Sequence, residues 1–385
     1  MGFSKKITIA SGILLLVVVA FLLPGTSASA NATAIVKVCA SATDLEDCYH
    51  REILNLYPQV SIPEIFSLIR EIRKQDGRYQ FCHVLAHKLG QRVVEENPNL
   101  WADAVPLNPA DGLCSNGFVH GVIIGRFRDD VLNDRQVQVA LPDFAKACEP
   151  RPDWQPTGFD QATCYHGLGH LFMFITDASY DRSLAICRAI EQSPTGNFDR
   201  VCREGVFMQI YQPLEPDDFD LVELLPEKPD QNNYRRLCVR FGPEDEGACL
   251  REAWPLFKDD LMSGVGVKSF CTGQPNIKEE DACYDSVLAI IGRGSLSKPD
   301  DAAQACSVVP EKQRGKCFAS VASAYIEENR LDMQQAVDFC YRADGNAQGT
   351  CLETLARRAR FTFGSGQADV FCAMLPESAQ KVCER

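Results

Sequence analysis

Two pairs of histidines in this chain have the spacing of a ligand pair on a helix. His166 and His170 are four residues apart in CYHGLGH, and His83 and His87 repeat that spacing in CHVLAH. On an α-helix such residues lie on one face, so both imidazoles of a pair can address a single point. Imidazole is a common ligand of zinc, iron and copper, and a helix holds the two ligands of a pair in place. The pattern predicts a transition-metal site with zinc, iron or copper as cofactor.

Further polar residues occupy the same helical positions in other units. Counted from the half-cystine of its unit, His166 is at position plus two and His170 at plus six. His120 is at plus six of another unit, and Glu204 and His50 are at plus two of theirs. We expect Glu204 to act as a carboxylate ligand or a general base, and His50 to lie at the edge of the site. The predicted metal ligands are His83, His87, His120, His166, His170 and Glu204.

Eighteen cysteines divide the chain into repeated units. From Cys249 to Cys383 one cysteine series recurs every 32–34 residues, and a second series from Cys271 to Cys372 recurs every 32–35 residues. Each unit has the pattern of a short helix ending in cysteine, a polar turn, and a second cysteine that opens a longer amphipathic helix. The two interleaved series therefore predict a repeat with two helices per unit.

The even number of cysteines favours disulfides over free thiols in an exported chain. Cys82 and Cys114 could instead supply thiolate ligands to the metal, but sequential pairing of the other sixteen leaves these two together. We predict bridges between residues 39–48, 82–114, 148–164, 187–202, 238–249, 271–283, 306–317, 340–351 and 372–383.

A period near 34 residues with two helices per unit resembles the tetratricopeptide-like superfamily of helical repeats. The resemblance is architectural, because the Trp, Leu-Gly, Tyr and Pro consensus of tetratricopeptides is absent. The chain also resembles secreted helical repeat proteins in which a disulfide staples the helices of each unit. The resemblance implies an all-α solenoid of about nine two-helix repeats with one continuous core, and a concave face that binds a protein partner.

The N-terminus has the pattern of a secretory signal peptide. Lys5 and Lys6 precede an apolar run from Ile7 to Leu23, and Ala28-Ser29-Ala30 places small residues before a cleavage position at Asn31; a retained anchor is the alternative. Removing residues 1–30 removes two lysines and no acid, so the formal charge falls from −13 to −15. This balance disfavours nucleic acid as a partner. We expect export to the periplasm, cell surface or a lumen, with no further membrane insertion.

The chain is expected to have four segments. They are the signal peptide (1–30), histidine-bearing helical repeats (31–215), an acidic Pro-rich loop (216–236) and C-terminal helical repeats (237–385). Within the repeats, the spacing of Ile62, Ile65, Ile69 and Ile72 predicts an amphipathic helix over 61–74. Residues 126–138 are expected to be irregular, with a short helix from Pro142 to Cys148 after them.

Three functions are compatible with these residues. We interpret the chain as an exported metal-binding helical repeat protein with its site between neighbouring long helices. The first alternative is an extracellular protein-interaction scaffold with no metal, in which the histidines form hydrogen bonds between core helices or line the inner face. The second is a metal-dependent hydrolase or oxygenase, which requires an open coordination position beside a cleft.

Overall fold

A computed structural model describes residues 28–383, except for 80–81, 110–112, 128–130, 153, 191–197, 214–215, 295, 297 and 329–332. Most of the predicted signal peptide, residues 1–27, lies outside the described residues. The first helix begins at Ala28, three residues before the predicted cleavage position. No helix in the described part of the chain is long and apolar enough to cross a membrane.

The regular structure of the described residues is helical, with one isolated β-bridge between Arg151 and Trp154. The all-α prediction is therefore confirmed. The α-helices are α1 (Ala28–Cys39), α2 (Leu45–Leu54), α3 (Ile62–Gln75), α4 (His83–Glu96), α5 (Trp101–Ala104), α6 (Gly117–Phe127), α7 (Asp134–Ala147), α8 (Gly158–Ile175), α9 (Tyr180–Ala189), α10 (Asp199–Tyr211), α11 (Pro216–Glu223), α12 (Tyr234–Cys238), α13 (Pro243–Glu252), α14 (Lys258–Met262), α15 (Val267–Cys271), α16 (Ile277–Gly294), α17 (Pro299–Val308), α18 (Glu311–Glu328), α19 (Met333–Cys340), α20 (Asn346–Thr362), α21 (Ser365–Ala373) and α22 (Glu377–Cys383). Short 3-10 helices cover Pro98–Leu100, Val105–Leu107, Leu113–Asn116 and Trp254–Phe257.

Capping residues explain where several helices begin. The predicted helix over 61–74 is confirmed as α3, in which Ser61 and Glu64 form a capping box. The expected irregular stretch 126–138 is wrong in its second half, because a capping box of Asn133 and Gln136 starts α7 at Asp134. Pro142 therefore lies inside α7 instead of opening a short helix. The predicted loop 216–236 contains α11 and the first residues of α12.

Nine disulfides join successive elements, and all nine predicted pairings are confirmed. Eight of them close short segments of 9–16 residues, and the Cys82–Cys114 bridge closes 32. Cys82 and Cys114 are therefore not thiolate ligands. The second cysteine of a unit lies further into its long helix than the repeat pattern predicts. Cys164, for example, is in the second turn of α8.

The long helices from α8 onward contact one another in a closed series. Helices α8, α10, α13, α16, α18 and α20 each contact the next in that order, and α20 returns to contact α8. At this closing contact Phe361 packs against Gly158 and lies 6.4 Å from the ring centroid of Phe159. We call these six helices the helix ring. The α20–α8 contact joins distant parts of the chain, which an open solenoid of neighbouring repeats does not do.

The buried apolar side chains form two clusters instead of the single core that we predict from the repeat. One cluster runs from Ala32 to Ala253 and the other from Leu261 to Cys383. Phe257 is partly buried and packs against both. The boundary between the clusters is therefore at the short helices after α13, and not at the acidic segment 216–236.

Candidate functional site

Five of the six histidines lie together on the inner sides of α4, α6 and α8. The His120 ring is central, with its centroid 5.4 Å from that of His83, 6.3 Å from His87, 6.0 Å from His166 and 5.4 Å from His170. The helical register therefore predicts correctly which imidazoles assemble. His50 lies outside this group, on α2, where its ring faces Tyr79. We call the five residues the histidine cluster.

Glycines allow these helices to approach closely. A Cβ added to Gly121 of α6 would lie 1.9 Å from the backbone oxygen of His87, and one added to Gly169 of α8 would lie 2.0 Å from that of Cys202. Non-bonded atoms cannot approach so closely, so both positions need glycine, which has no side chain. The close approach brings the imidazoles of neighbouring helices within contact distance of each other.

Hydrogen bonds to neighbouring groups set the proton position on three of the rings. Nε2 of His120 is 3.2 Å from the backbone oxygen of Thr163, and Nδ1 of His166 is 3.1 Å from that of Val201. Nδ1 of His170 is 2.6 Å from Oε1 of Gln209. Oxygen acceptors require an N–H at each of these nitrogens, so the other ring nitrogen of each neutral imidazole carries the lone pair.

Burial keeps these imidazoles neutral. It lowers the pKa of His120 and His170 well below the ordinary value, and the charge that His166 and the other histidines would carry lowers it further. Burial also lowers the pKa of His166, although the nearby carboxylate of Glu204 opposes this shift. At neutral pH the rings of His120, His166 and His170 are therefore uncharged and each has a lone pair.

The predicted multi-histidine metal site is wrong. Among the described residues no group of three or more His, Cys, Asp or Glu side chains is arranged to hold a metal ion. The rings pack edge to face or tilted around His120, and each hydrogen bond to a carbonyl or amide turns one nitrogen away from the others. The predicted ligands His83, His87, His120, His166 and His170 assemble without forming a coordination shell. The alternative of a metal-dependent hydrolase or oxygenase depends on the same ligands, so the correction applies to it as well.

Glu204 is the predicted site residue that the structure places elsewhere. Its carboxylate accepts hydrogen bonds from Nη2 and Nε of Arg251, at 3.0 and 3.2 Å. Burial tends to raise the pKa of Glu204, but the charges of Arg200 and Arg251 outweigh burial and hold the pKa below its ordinary value. An ionised carboxylate held by two arginines is a poor general base.

Arg251 is a functional candidate that the sequence reasoning missed. It is 1% exposed and also donates to Glu279, so it joins α10, α13 and α16. The cysteine register could have identified Arg251, because it lies two residues after Cys249, as Glu204 lies two residues after Cys202. Further along the ring, Arg293 and Arg358 both donate to the buried Glu327. The polar inner face thus continues as ion pairs beyond the histidines.

A small cleft opens beside the histidine cluster, with a volume of about 30 Å³. Asp218 of α11 borders it and accepts a hydrogen bond of 2.6 Å from Nε2 of Gln209, the residue that also bonds His170. Asp218 lies in the segment predicted as a loop. The cysteine repeat therefore could not predict that it lies beside the histidines. We call this the histidine cleft; it is bordered by His83, His87, His120, His170, Met208, Gln209 and Asp218.

A larger groove of about 960 Å³ crosses the C-terminal helices. It is lined by the beginnings of α16, α18 and α20 and by the ends of the short helices that precede them. Tyr284 and Phe318, which each follow a half-cystine, are buried among its lining residues. We call it the C-terminal groove.

The chain matches no known protein-family model, no curated protein and no solved structure. Its class is therefore defined by its own geometry, as an all-helical protein braced by nine disulfides in the described residues.

The histidine cluster predicts a loss of stability on acidification. His120, His166 and His170 have lowered pKa values in the folded state, so below about pH 6.5 they bind protons only after unfolding. Glu252 acts in the opposite direction, because burial and the charge of Glu204 raise its pKa to about 8. The three imidazoles outnumber this carboxyl group, so the free energy of unfolding should fall as the pH is lowered from about 6.5 to 5.

Urea unfolding of the oxidised protein at a series of pH values measures this decrease. His166→Gln should make this dependence on pH less steep, because glutamine does not titrate. A free energy of unfolding that is constant between pH 6.5 and pH 5 would show that these rings are not held neutral.

Proposed function

We propose that this protein is an exported binding scaffold whose C-terminal groove holds an extended acidic segment of a protein partner. The observation that carries the proposal is the groove itself, about 960 Å³ in volume and shared by three consecutive repeats. Nine disulfides among the described residues support a place outside the reducing cytoplasm.

Equivalent positions of successive repeats line the groove. Tyr284 and Phe318 each follow the second half-cystine of a repeat, and Thr272 and Ser307 each follow the first. Neighbouring helices are about 8–10 Å apart, so three long helices span about 20 Å. An extended chain advances about 3.3 Å per residue, and about six residues would cross the groove. A regular series of rings and hydroxyls fits a linear segment better than a compact ligand.

The charged residues that line the groove are four cations and three anions, a less acidic balance than that of the whole chain. The cations are Lys268, Lys312, Arg314 and Arg342 and the anions are Glu280, Glu311 and Asp344, in a chain of net charge −13. Lys312 is 3.9 Å from Glu280, and Arg342 pairs with Asp300 outside the groove. The exposed Lys268 and Arg314 form no ion pair with any described residue. Two cations are thus available for acidic side chains of a partner.

The proposal predicts that Arg314→Glu weakens binding of an acidic peptide at least tenfold, which corresponds to about 1.4 kcal/mol. A suitable probe is a fluorescent peptide of about twelve residues that alternates Glu and Ala, long enough to cross the groove. Fluorescence anisotropy with the full-length oxidised protein gives the dissociation constant. Binding should weaken as salt is added, because the cations are exposed.

Two controls separate a specific groove from general charge attraction. Arg357 is exposed on α20 outside the groove, 4.0 Å from Glu353, and Arg357→Glu should leave the affinity unchanged. A peptide with Gln in place of Glu should bind at least tenfold more weakly to the unsubstituted protein. Equal weakening by the two arginine substitutions, or no binding of the acidic peptide at millimolar concentration, would contradict the proposal.

A further inference from the structure

We infer that the histidine cleft is a binding site for a primary ammonium group, either the ammonium ion or the head of a small alkylamine. The inference rests on a buried acceptor with no partner among the described residues, on further acceptors among the residues that line the cleft, and on the size of the cleft. It is independent of the partner proposed for the C-terminal groove.

The buried acceptor is Nε2 of His170. The residue is 8% exposed, and no described residue forms a hydrogen bond with this nitrogen. Because Nδ1 donates to Oε1 of Gln209 at 2.6 Å, Nε2 of the neutral ring carries a lone pair. The amide of Gln209 is itself held by Asp218, which fixes the orientation of the ring. A buried acceptor without a donor is unfavourable. A ligand that donates an N–H or O–H to this lone pair would therefore be stabilised.

Several other groups that line the cleft are also acceptors, whereas His87 accepts at Nδ1 from Nε2 of Gln91 and so carries its proton on Nε2. Nε2 of His120 donates to the backbone oxygen of Thr163 at 3.2 Å, so its Nδ1 carries a lone pair as well. The carboxylate of Asp218 adds a negative charge, and the sulfur of Met208 is a weak acceptor. Among the described residues that line the cleft there is no lysine or arginine. A compact cation with several N–H donors satisfies this set of acceptors.

The size of the cleft selects a small group. A volume of about 30 Å³ accepts one group of the size of a water molecule. The NH₃⁺ head of an amine has that size and directs three donors outward. His83, His87 and Asp218 are only partly buried, so the cleft is open on one side. The alkyl chain of an amine can leave through that side while its head remains inside.

Ammonium and potassium ions of equal concentration test the inference, because potassium has the same charge and no N–H donor. Thermal unfolding of the full-length oxidised protein is measured in ammonium, methylammonium, potassium and tetramethylammonium chloride at fixed ionic strength and pH 7. We expect ammonium to raise Tm by about 2 °C or more relative to potassium, since a ligand that binds only the folded state stabilises it. Tetramethylammonium, which has no N–H, should give no rise.

The arms of the experiment also distinguish the source of the ammonium group. A rise with both ammonium and methylammonium identifies an amine head group, whereas a rise with ammonium alone identifies the free ion. Equal Tm values in ammonium and potassium would overturn the inference, and the cleft would then hold water. Isothermal titration with ammonium chloride measures the affinity directly and must agree with the thermal result.

Two substitutions locate the binding site. Asp218→Asn keeps an acceptor for Gln209 and removes the charge from a partly exposed position, so we expect a folded protein with about tenfold weaker ammonium binding. His170→Phe keeps a ring and removes the lone pair, and it should abolish binding. His50→Asn lies outside the cleft and should not change it. If Asp218→Asn and His50→Asn bind ammonium as the unsubstituted protein does, the assignment to this cleft is wrong.

Discussion

Replacing Arg251 with methionine is expected to destabilise the protein by about 3–5 kcal/mol at pH 7. Arg251 is 1% exposed and donates to Glu204 and Glu279, which are 8% and 4% exposed. Methionine fills much of the same volume but leaves the buried carboxylate of Glu279 without a cation and that of Glu204 with Arg200 alone, and an uncompensated buried charge is costly. Urea unfolding of the oxidised protein measures the change.

Further substitutions separate charge from packing at this position. Glu204→Gln and Glu279→Gln in the Arg251→Met background should recover most of the lost stability, because no buried charge then remains. The exposed pair of Arg51 and Asp47 provides the matched control, and Arg51→Met should cost less than about 1 kcal/mol. A triple variant as unstable as Arg251→Met would show that the loss comes from packing alone.

Replacing Gly121 with alanine is the second change with a large expected effect, a loss of about 3 kcal/mol. The new Cβ would lie 1.9 Å from the backbone oxygen of His87, so α4 and α6 must move apart. The contact is with backbone, which cannot move aside as a flexible side chain can. Because His87 and His120 lie on these two helices, the histidine cluster should loosen as well. Circular dichroism on heating and in urea measures the loss.

Gly349→Ala is the control for the intrinsic effect of the substitution. Gly349 is in α20, and an added Cβ would meet nothing within 4 Å. Alanine should therefore stabilise this helix by up to about 1 kcal/mol. If Gly121→Ala and Gly349→Ala had the same effect, the close approach of α4 and α6 would not be a property of the protein in solution.

Local and periodic features were predictable from the sequence. Paired cysteines are few residues apart in eight of nine bridges, so sequential pairing identified them, including Cys82–Cys114 by elimination. The helical register predicted that five histidines come together, because α4 packs against α6 and α6 against α8. Ser61 and Glu64 marked the start of α3 through a capping box. Each of these signals lies within a single unit or recurs from unit to unit.

Features that depend on orientation or on distant contacts were not predictable. The register predicts that His120 and His170 lie together, but not which ring nitrogen faces Thr163 or Gln209. These hydrogen bonds orient the rings so that they do not form a metal-binding group. Glu204 has the spacing of a ligand, yet its partner Arg251 is 47 residues further along the chain. The contact between α8 and α20 has no counterpart in the repeat pattern, since it occurs once.

The closing contact between α8 and α20 has a consequence for cooperativity. In an open array of repeats the end units fray first, because each has only one neighbour. Here α20, the last helix of the ring, packs against α8, the first. Each helix of the ring therefore has two neighbours, and breaking one contact exposes the contacts beside it. Phe361 and Phe159 are about 200 residues apart, and contacts of such long range slow folding. The helix ring should therefore fold slowly and unfold as one unit, without the gradual loss of terminal repeats that open arrays show.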